Sequence, residues 1–235
     1  FPYGGNRFEF RAVGSSQNVS IVNMILAAIV SKSFKEFSEQ IEQGKSAKEV
    51  AQAALKKHMK VIFNGNGYSE AEQERLTREG YTRIDSGVEA INKFTDPKNV
   101  ALFSDLGILA KEEVGARQEI LFEHYTGLVE MEALSMIQMI EQHVIPSVEA
   151  GSELVTDARL DTSKLKSGVL SVKNAIANIH GANDAYAGAK AARDLRLDLM
   201  ITVRKTCDDA EAACPKHLWT LPTYAEMLFD SEHLE

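Results

Sequence analysis

The sequence predicts a mainly α-helical protein, in which one short strand is followed by a helical bundle with long antiparallel hairpin helices. Strict alternation of charged and apolar residues, which is typical of a strand, occurs at residues 7–11. From residue 17 onward, apolar residues recur every three or four positions, which is the period of a helix. Segments of the form Ser/Thr-x-x-Glu, at residues 46–49, 69–72 and 223–226, indicate helix starts.

The opening strand carries three charged residues on one face. Arg7, Glu9 and Arg11 lie on that face and Phe8 and Phe10 on the other, because successive side chains of an extended chain point to opposite sides. A carboxylate between two guanidinium groups could hold an anion, a metal ion or both. A salt-bridge ladder on a half-exposed strand would explain the same alternation.

Two helices are predicted after this strand. The segment Gly14-Ser15-Ser16 permits a sharp turn, and helical spacing then runs from about residue 17 to Gly44. The capping box at residues 46–49 predicts that a second helix begins there and continues to about Ile62.

A loop and two short helices are predicted next. Asn and Gly residues at 63–68 favour a tight turn, because both residue types tolerate positive φ. The capping box at residues 69–72 starts a short helix that stops at Gly80. Residues 86–94 predict another short helix, ended by Thr95-Asp96-Pro97.

A long helix is predicted from about Ala110, with Pro146 as a kink or interruption. Its expected apolar face consists of Leu121, Leu128, Met131, Leu134, Ile137, Ile140 and Val144. The methionines at 131, 136 and 139 fit either core packing or a methionine-rich interface.

The remaining chain predicts a helical hairpin and a short final helix. Residues 151–162 contain little that favours a helix, whereas residues 163–179 and 182–213 predict two helices that could pack antiparallel. The capping box at 223–226 predicts a last helix over residues 224–229, docked through Trp219, Leu228 and Phe229.

Composition excludes several functional classes. The net charge of −8 and the pI near 5.4 argue against a nucleic-acid surface, which needs clustered lysine and arginine. No apolar run reaches the ~18–20 residues that a membrane span requires. Cys207 and Cys214 belong to one apolar stripe of a helix, so we expect free buried thiols in a reducing cytoplasm.

The histidines do not form a recognisable metal motif. The sequence contains no H-x-x-x-H or H-E-x-x-H pair, and two cysteines are too few for a legible structural zinc site. No Gly-x-Ser-x-Gly nucleophile motif occurs either. Any catalytic chemistry is therefore expected in the opening strand.

Four segments, in this order and spacing, resemble type III glutamine synthetase, the large form of that family. They are NRFEFRAVGSSQ at 6–17, FNGNGYS at 63–69, RQEI at 117–120 and LWTLPTY at 218–224. The smaller glutamine synthetases carry Pro-Asp and then Asn-Pro after the position of Arg11, and this chain does not. The resemblance implies that residues 1–16 are the terminal strand of the catalytic domain and that residues 17–235 are the helical carboxy-terminal region.

The resemblance also implies site residues. Glu9 would be a carboxylate ligand of Mg²⁺ or Mn²⁺, Arg11 would hold the substrate glutamate and the phosphoryl group, and Arg7 would contact nucleotide phosphate. ATP, L-glutamate and ammonia would be the substrates, and a ring-built homo-oligomer, a dodecamer, would be the assembly.

The same resemblance suggests what the chain lacks. The family's other metal ligands and its ammonium site would lie upstream of residue 1, and the sequence does not begin with Met. We therefore expect a fragment that is inactive alone. The alternative is a non-catalytic helical module that scaffolds or regulates assembly, with the strand as a structural ladder.

Overall fold

A computed structural model describes residues 5, 9, 17–62 and 66–229 of the 235-residue chain, and within these ranges the regular structure is helical, without a strand. The mainly α-helical prediction is confirmed. The predicted strand at residues 7–11 lies outside the described residues except for Glu9. The α-helices are α1 Val19–Glu42, α2 Ala47–His58, α3 Glu70–Arg78, α4 Gly87–Asn92, α5 Pro97–Asp105, α6 Lys111–Met139, α7 Ile145–Leu154, α8 Thr162–His180, α9 Ala185–Asp194, α10 Met200–Ala213 and α11 Tyr224–Phe229.

Side-chain caps begin several of these helices. Ser46 Oγ accepts the N–H of Glu49, and Glu49 Oε2 accepts the N–H of Ser46, so the predicted capping box of α2 is formed. Thr223 and Glu226 form the same reciprocal pair at α11. Gly44, with φ of +98°, ends the α1 segment as predicted.

The chain divides into two compact units, and the first comprises the described residues up to Asp85 together with Lys93–Gly115. Its core contains Ala28 of α1, Phe103 of α5, Leu109 and Val114. Helix α5 was not predicted, because Pro97 was interpreted only as the end of the preceding helix. Proline also suits the first position of a helix, where no backbone N–H is needed, and Pro97 begins α5 in this way.

The second unit comprises Ser86–Asn92 and the described residues from Ala116 onward. Helix α8 packs against α9 and α10, as the predicted antiparallel hairpin requires. Gly168 of α8 faces Val203 of α10, and Gly188 of α9 lies near Ile179 at the other end of α8. The buried core residues include Val129, Ala133, Ile137, Ile140, Val144, Val148, Leu165, Val169, Val172, Leu195 and Val203.

Helix α6 continues into α7 through a π-helical turn at Ile140–Val144, and a second π turn at Leu195–Leu199 joins α9 to α10. The expected interruption at Pro146 is this wider turn, which ends just before the proline. The predicted break from Gly151 was placed too early, since α7 runs to Leu154. Gly151 is buried, and a Cβ there would approach Cys214 Sγ to 3.1 Å, so its absence of a side chain serves packing rather than helix termination.

Candidate functional site

The structure describes one of the three site residues that the sequence predicts. Arg7 and Arg11 are outside the described residues, while Glu9 is described and exposed. The catalytic roles of Arg7, Glu9 and Arg11 stay predictions.

The described part of the chain does not form a metal site of its own. In residues 5, 9, 17–62 and 66–229, no three His, Cys, Asp or Glu side chains come close enough together to hold a metal ion. A single carboxylate such as Glu9 does not complete the oxygen ligand set that Mg²⁺ requires. The described residues alone thus do not fit a resident metal ion.

A methionine-rich groove of about 820 Å³ lies in the second unit. One wall comes from α6 and its π turn, another from α10, and a third from the segment after α10 that includes α11. Its apolar lining includes Met131, Met136, Met139, Ile140, Met200, Ile201, Trp219, Leu221, Pro222 and Met227. Pockets of this volume accommodate small molecules or the side chains of a partner.

Polar side chains fasten the carboxy-terminal segment beside this groove. Arg204 Nη2 donates to Tyr224 Oη at 2.5 Å, and Tyr224 Oη donates to Asp208 Oδ1 at 3.0 Å. In the segment that precedes α11, Thr220 Oγ1 lies 3.0 Å from His143 Nδ1. These contacts tie α11 to α10 and the extended segment to the π turn of α6.

The docking prediction for the final helix is only partly correct. Trp219 is partly buried against the core of the second unit, as expected. Leu228 is 77% exposed, so the predicted docking through this residue is wrong. The side chain of Phe229 lies outside the described residues.

The electrostatics of the groove do not favour nucleophilic catalysis. Burial, with a smaller contribution from the charge of Asp208, raises the pKa of the Cys207 thiol to about 11, so the reactive thiolate is scarce near neutral pH. The hydrogen bond to Tyr224, and then the charge of Asp208, raise the pKa of Arg204. Both cysteines are free thiols, as predicted.

The polar residues beside the groove, Arg204, Asp208 and Tyr224, were not predicted as a set from the sequence. Arg204 and Asp208 show only an i, i+4 spacing, which is common on solvated helix faces. Tyr224 follows a capping residue, and this signal predicted its helix but not its contact with α10. No helix in the described ranges has both the length and the hydropathy that a membrane span requires.

Comparisons with known proteins show a consistent similarity to glutamine synthetases. The model of the glutamine synthetase C-terminal domain matches residues 46–160. A type-3 glutamine synthetase from Dictyostelium discoideum is 31% identical over an alignment 263 positions long, which covers 97% of this chain and 36% of that protein. Glutamine synthetases from Butyrivibrio fibrisolvens and Bacteroides fragilis are 28% and 25% identical, again over 97% of this chain, and over 37% and 36% of their own lengths.

This chain thus spans little more than a third of the length of these relatives. The similarity nevertheless extends over almost all of the chain, including both compact units. The chain is therefore similar over almost all of its length to type III glutamine synthetase, and residues 46–160 match the carboxy-terminal domain of glutamine synthetases.

Proposed function

We propose that this chain supplies the carboxy-terminal part of an enzyme that joins ammonia to L-glutamate at the expense of ATP. In this reaction ATP phosphorylates the γ-carboxylate of glutamate, and ammonia then displaces phosphate to give glutamine. The observation that carries the proposal is the strand motif at residues 6–17, found in a chain whose relatives are named glutamine synthetases.

Three residues of the opening strand carry the proposed chemistry. Glu9 would serve as one oxygen ligand of Mg²⁺ or Mn²⁺, hard cations that prefer carboxylates. Arg11 would orient glutamate and neutralise the phosphoryl group in transfer, and Arg7 would contact a nucleotide phosphate. Phosphoryl transfer depends on such positive charge against the phosphate oxygens.

The helical region would position the opening strand and shape the packing of subunits, rather than supply catalytic groups. In the described ranges after residue 16, no set of metal ligands is present and the Cys207 thiol has a raised pKa. This supports the division into a strand of the catalytic domain at 1–16 and a helical region at 17–235. We expect that this chain alone does not synthesise glutamine.

A second candidate is a helical module that scaffolds or regulates a homo-oligomer without catalytic residues. The exposed methionines of the groove favour it, since Met131 is 59% exposed and Met227 is also 59% exposed. On this alternative, Arg7, Glu9 and Arg11 form only a structural ladder. The free thiols suit a cytoplasmic setting on either account.

Glu9→Gln in the intact synthetase that contains this chain separates the two candidates. The amide keeps the size of the side chain but removes the charge that a divalent cation needs, so we expect loss of Mg²⁺-dependent glutamine synthesis with unchanged far-UV circular dichroism. Glu36→Gln, at an exposed position of α1, is the matched control and should keep full activity. Full activity of Glu9→Gln would favour the non-catalytic module.

The isolated 235-residue chain tests the second part of the proposal. We expect no γ-glutamyl transfer in the presence of Mn²⁺ and ADP, because one carboxylate and two arginines do not build a complete site. Turnover comparable to that of an intact synthetase would contradict this expectation.

A further inference from the structure

Helix α1 presents apolar side chains on two opposite faces. Met24, Ile25 and Ala28 pack in the core of the first unit. On the same side of α1, Lys32 Nζ lies 3.4 Å from Asp105 Oδ2 of α5. At 100° per residue, a second set of apolar residues centres on the opposite side of the helix. This outer stripe of α1 consists of Val19, Leu26, Val30, Phe34, Phe37 and Ile41.

The outer stripe is largely exposed. Phe34 is 66% exposed and Val30 is 48% exposed, while Val19 and Ile41 are exposed to a similar degree as Val30. A surface helix normally has one apolar face and one polar face, so a helix that is apolar on opposite faces is expected to be covered from both sides. Contiguous apolar surface of this kind marks an interaction site.

The spacing of the stripe bears on the kind of surface that covers it. Val19, Val30 and Ile41 repeat every 11 residues, and so do Leu26 and Phe37. This corresponds to about 3.67 residues per turn rather than the 3.5 of a left-handed coiled coil. The stripe therefore lacks the 3.5-residue repeat by which a second copy of α1 would pair with it in a left-handed coiled coil.

The relatives indicate which domain covers the stripe. The chain covers 36% of the Dictyostelium type-3 enzyme, so most of such an enzyme is not represented by these residues. Helix α1 begins only eight residues after Arg11, which limits the separation of Val19 from the opening strand to roughly 28 Å even in an extended chain. A catalytic domain that contains this strand must therefore lie close to the beginning of α1.

We infer that the outer stripe of α1 is the surface by which the helical region docks on the catalytic domain of its own subunit. This inference rests on the proposed function, because it requires that a catalytic domain be part of the same polypeptide. Docking here fixes the chain on the carboxyl side of Arg11, so the stripe also positions the strand that carries Arg7, Glu9 and Arg11.

Photo-crosslinking in the intact synthetase tests the inference. Phe34 is replaced by p-benzoyl-L-phenylalanine, which keeps an aromatic ring at this position, and crosslinked peptides are identified by mass spectrometry after irradiation. Glu36, an exposed charged residue two positions farther along α1, is replaced in the same way as the matched control. We expect a crosslink from position 34 to the portion of the same polypeptide that precedes residue 1. Position 36 should not give this crosslink.

Three other results would overturn the inference. A product of twice the subunit mass would show that a second copy covers the stripe. A crosslink within residues 17–235 would show that the helical region covers its own stripe, and a yield at position 34 no higher than at position 36 would leave the stripe in solvent. The crosslink map does not depend on turnover, so it remains interpretable even if Glu9→Gln shows that the opening strand is not catalytic.

Discussion

Gly168 of α8 faces Val203 of α10, and its replacement by alanine tests that packing. A Cβ at position 168 would lie 3.2 Å from both methyl carbons of Val203, which is closer than ordinary van der Waals contact. Val203 is buried and β-branched, so its side chain strongly prefers one rotamer in a helix. Rotation about χ1 would not relieve the contact, because both methyl groups are equally near.

Two opposing effects determine the magnitude of the change. Alanine is favoured over glycine inside a helix by about 1 kcal/mol. Overpacking of a buried contact costs about 1–3 kcal/mol, so we expect Gly168→Ala to lower the free energy of unfolding by about 1 kcal/mol. In a Val203→Ala background the contact is gone and Gly168→Ala should instead stabilise by about 1 kcal/mol, a coupling of about 2 kcal/mol.

Urea unfolding followed by Trp219 fluorescence measures these changes. Trp219 is the single tryptophan of the chain and packs against the core of the second unit. Gly127→Ala is the matched control, since Gly127 is an exposed position inside α6 with open space around the added Cβ. The control should stabilise by about 1 kcal/mol. If Gly168→Ala stabilises as much as the control, or if its coupling to Val203 is absent, the packing argument is wrong.

Three further predictions concern the carboxy-terminal segment and its neighbours. Cys207 should react with iodoacetamide much more slowly in the native chain than in urea. Burial raises the pKa of its thiol to about 11, which lowers the thiolate fraction at pH 8 by about two orders of magnitude. Mass spectrometry of the adduct measures both rates. Tyr224→Phe removes the acceptor for Arg204, and amide exchange across α11 should accelerate by up to about tenfold, the ratio expected for one lost hydrogen bond. Hydrogen bonds from the N–H of Thr223 and then from the side chain of Lys216 lower the pKa of Glu226 to about 2. The contribution of Glu226 to the stability of α11 should therefore be complete above the unfolded pKa of about 4.3 and be lost as the pH falls through about 2. NMR chemical shifts of residues 224–229 would report this loss.

Each of these predictions has its own control and its own contradicting outcome. Equal alkylation rates of Cys207 in native and unfolded chain would contradict its burial. Exchange in α3, which belongs to the other unit, should not respond to Tyr224→Phe, and an unchanged α11 would show that the hydroxyl is dispensable. Glu226→Gln should abolish the acid-dependent loss of α11, and a midpoint near 4.3 in the unaltered chain would show that the capping contacts do not shift the carboxyl pKa.

Helix starts were predictable because the interactions that fix them are local. The capping pairs Ser46–Glu49 and Thr223–Glu226 involve residues three positions apart, and both are formed. The buried faces were less predictable, because they depend on which helix packs against which. Met131 and Leu134 were predicted on the apolar face of the long helix, yet both are more than half exposed, and Val129 and Ala133 are buried instead.

The candidate site illustrates the same limit. Arg7, Glu9 and Arg11 share a strand face on local spacing alone, but their roles came only from resemblance to a family. Spacing cannot supply such roles, because an active site combines side chains from distant parts of a chain. The methionine-rich groove is similar, since its walls come from α6, α10 and α11 and no short pattern specifies that they meet.

The two π turns affect how this chain aligns with its relatives. A turn closed by i→i+5 hydrogen bonds holds one residue more than an α-helical turn, so Ile140–Val144 and Leu195–Leu199 each act as a single-residue insertion within a continuous helix. A relative whose helices are α-helical throughout would align here only with a one-residue gap in the middle of a helix. An alignment with such a relative that confines gaps to loops would therefore misplace the helical residues between each π turn and the loop that receives the gap.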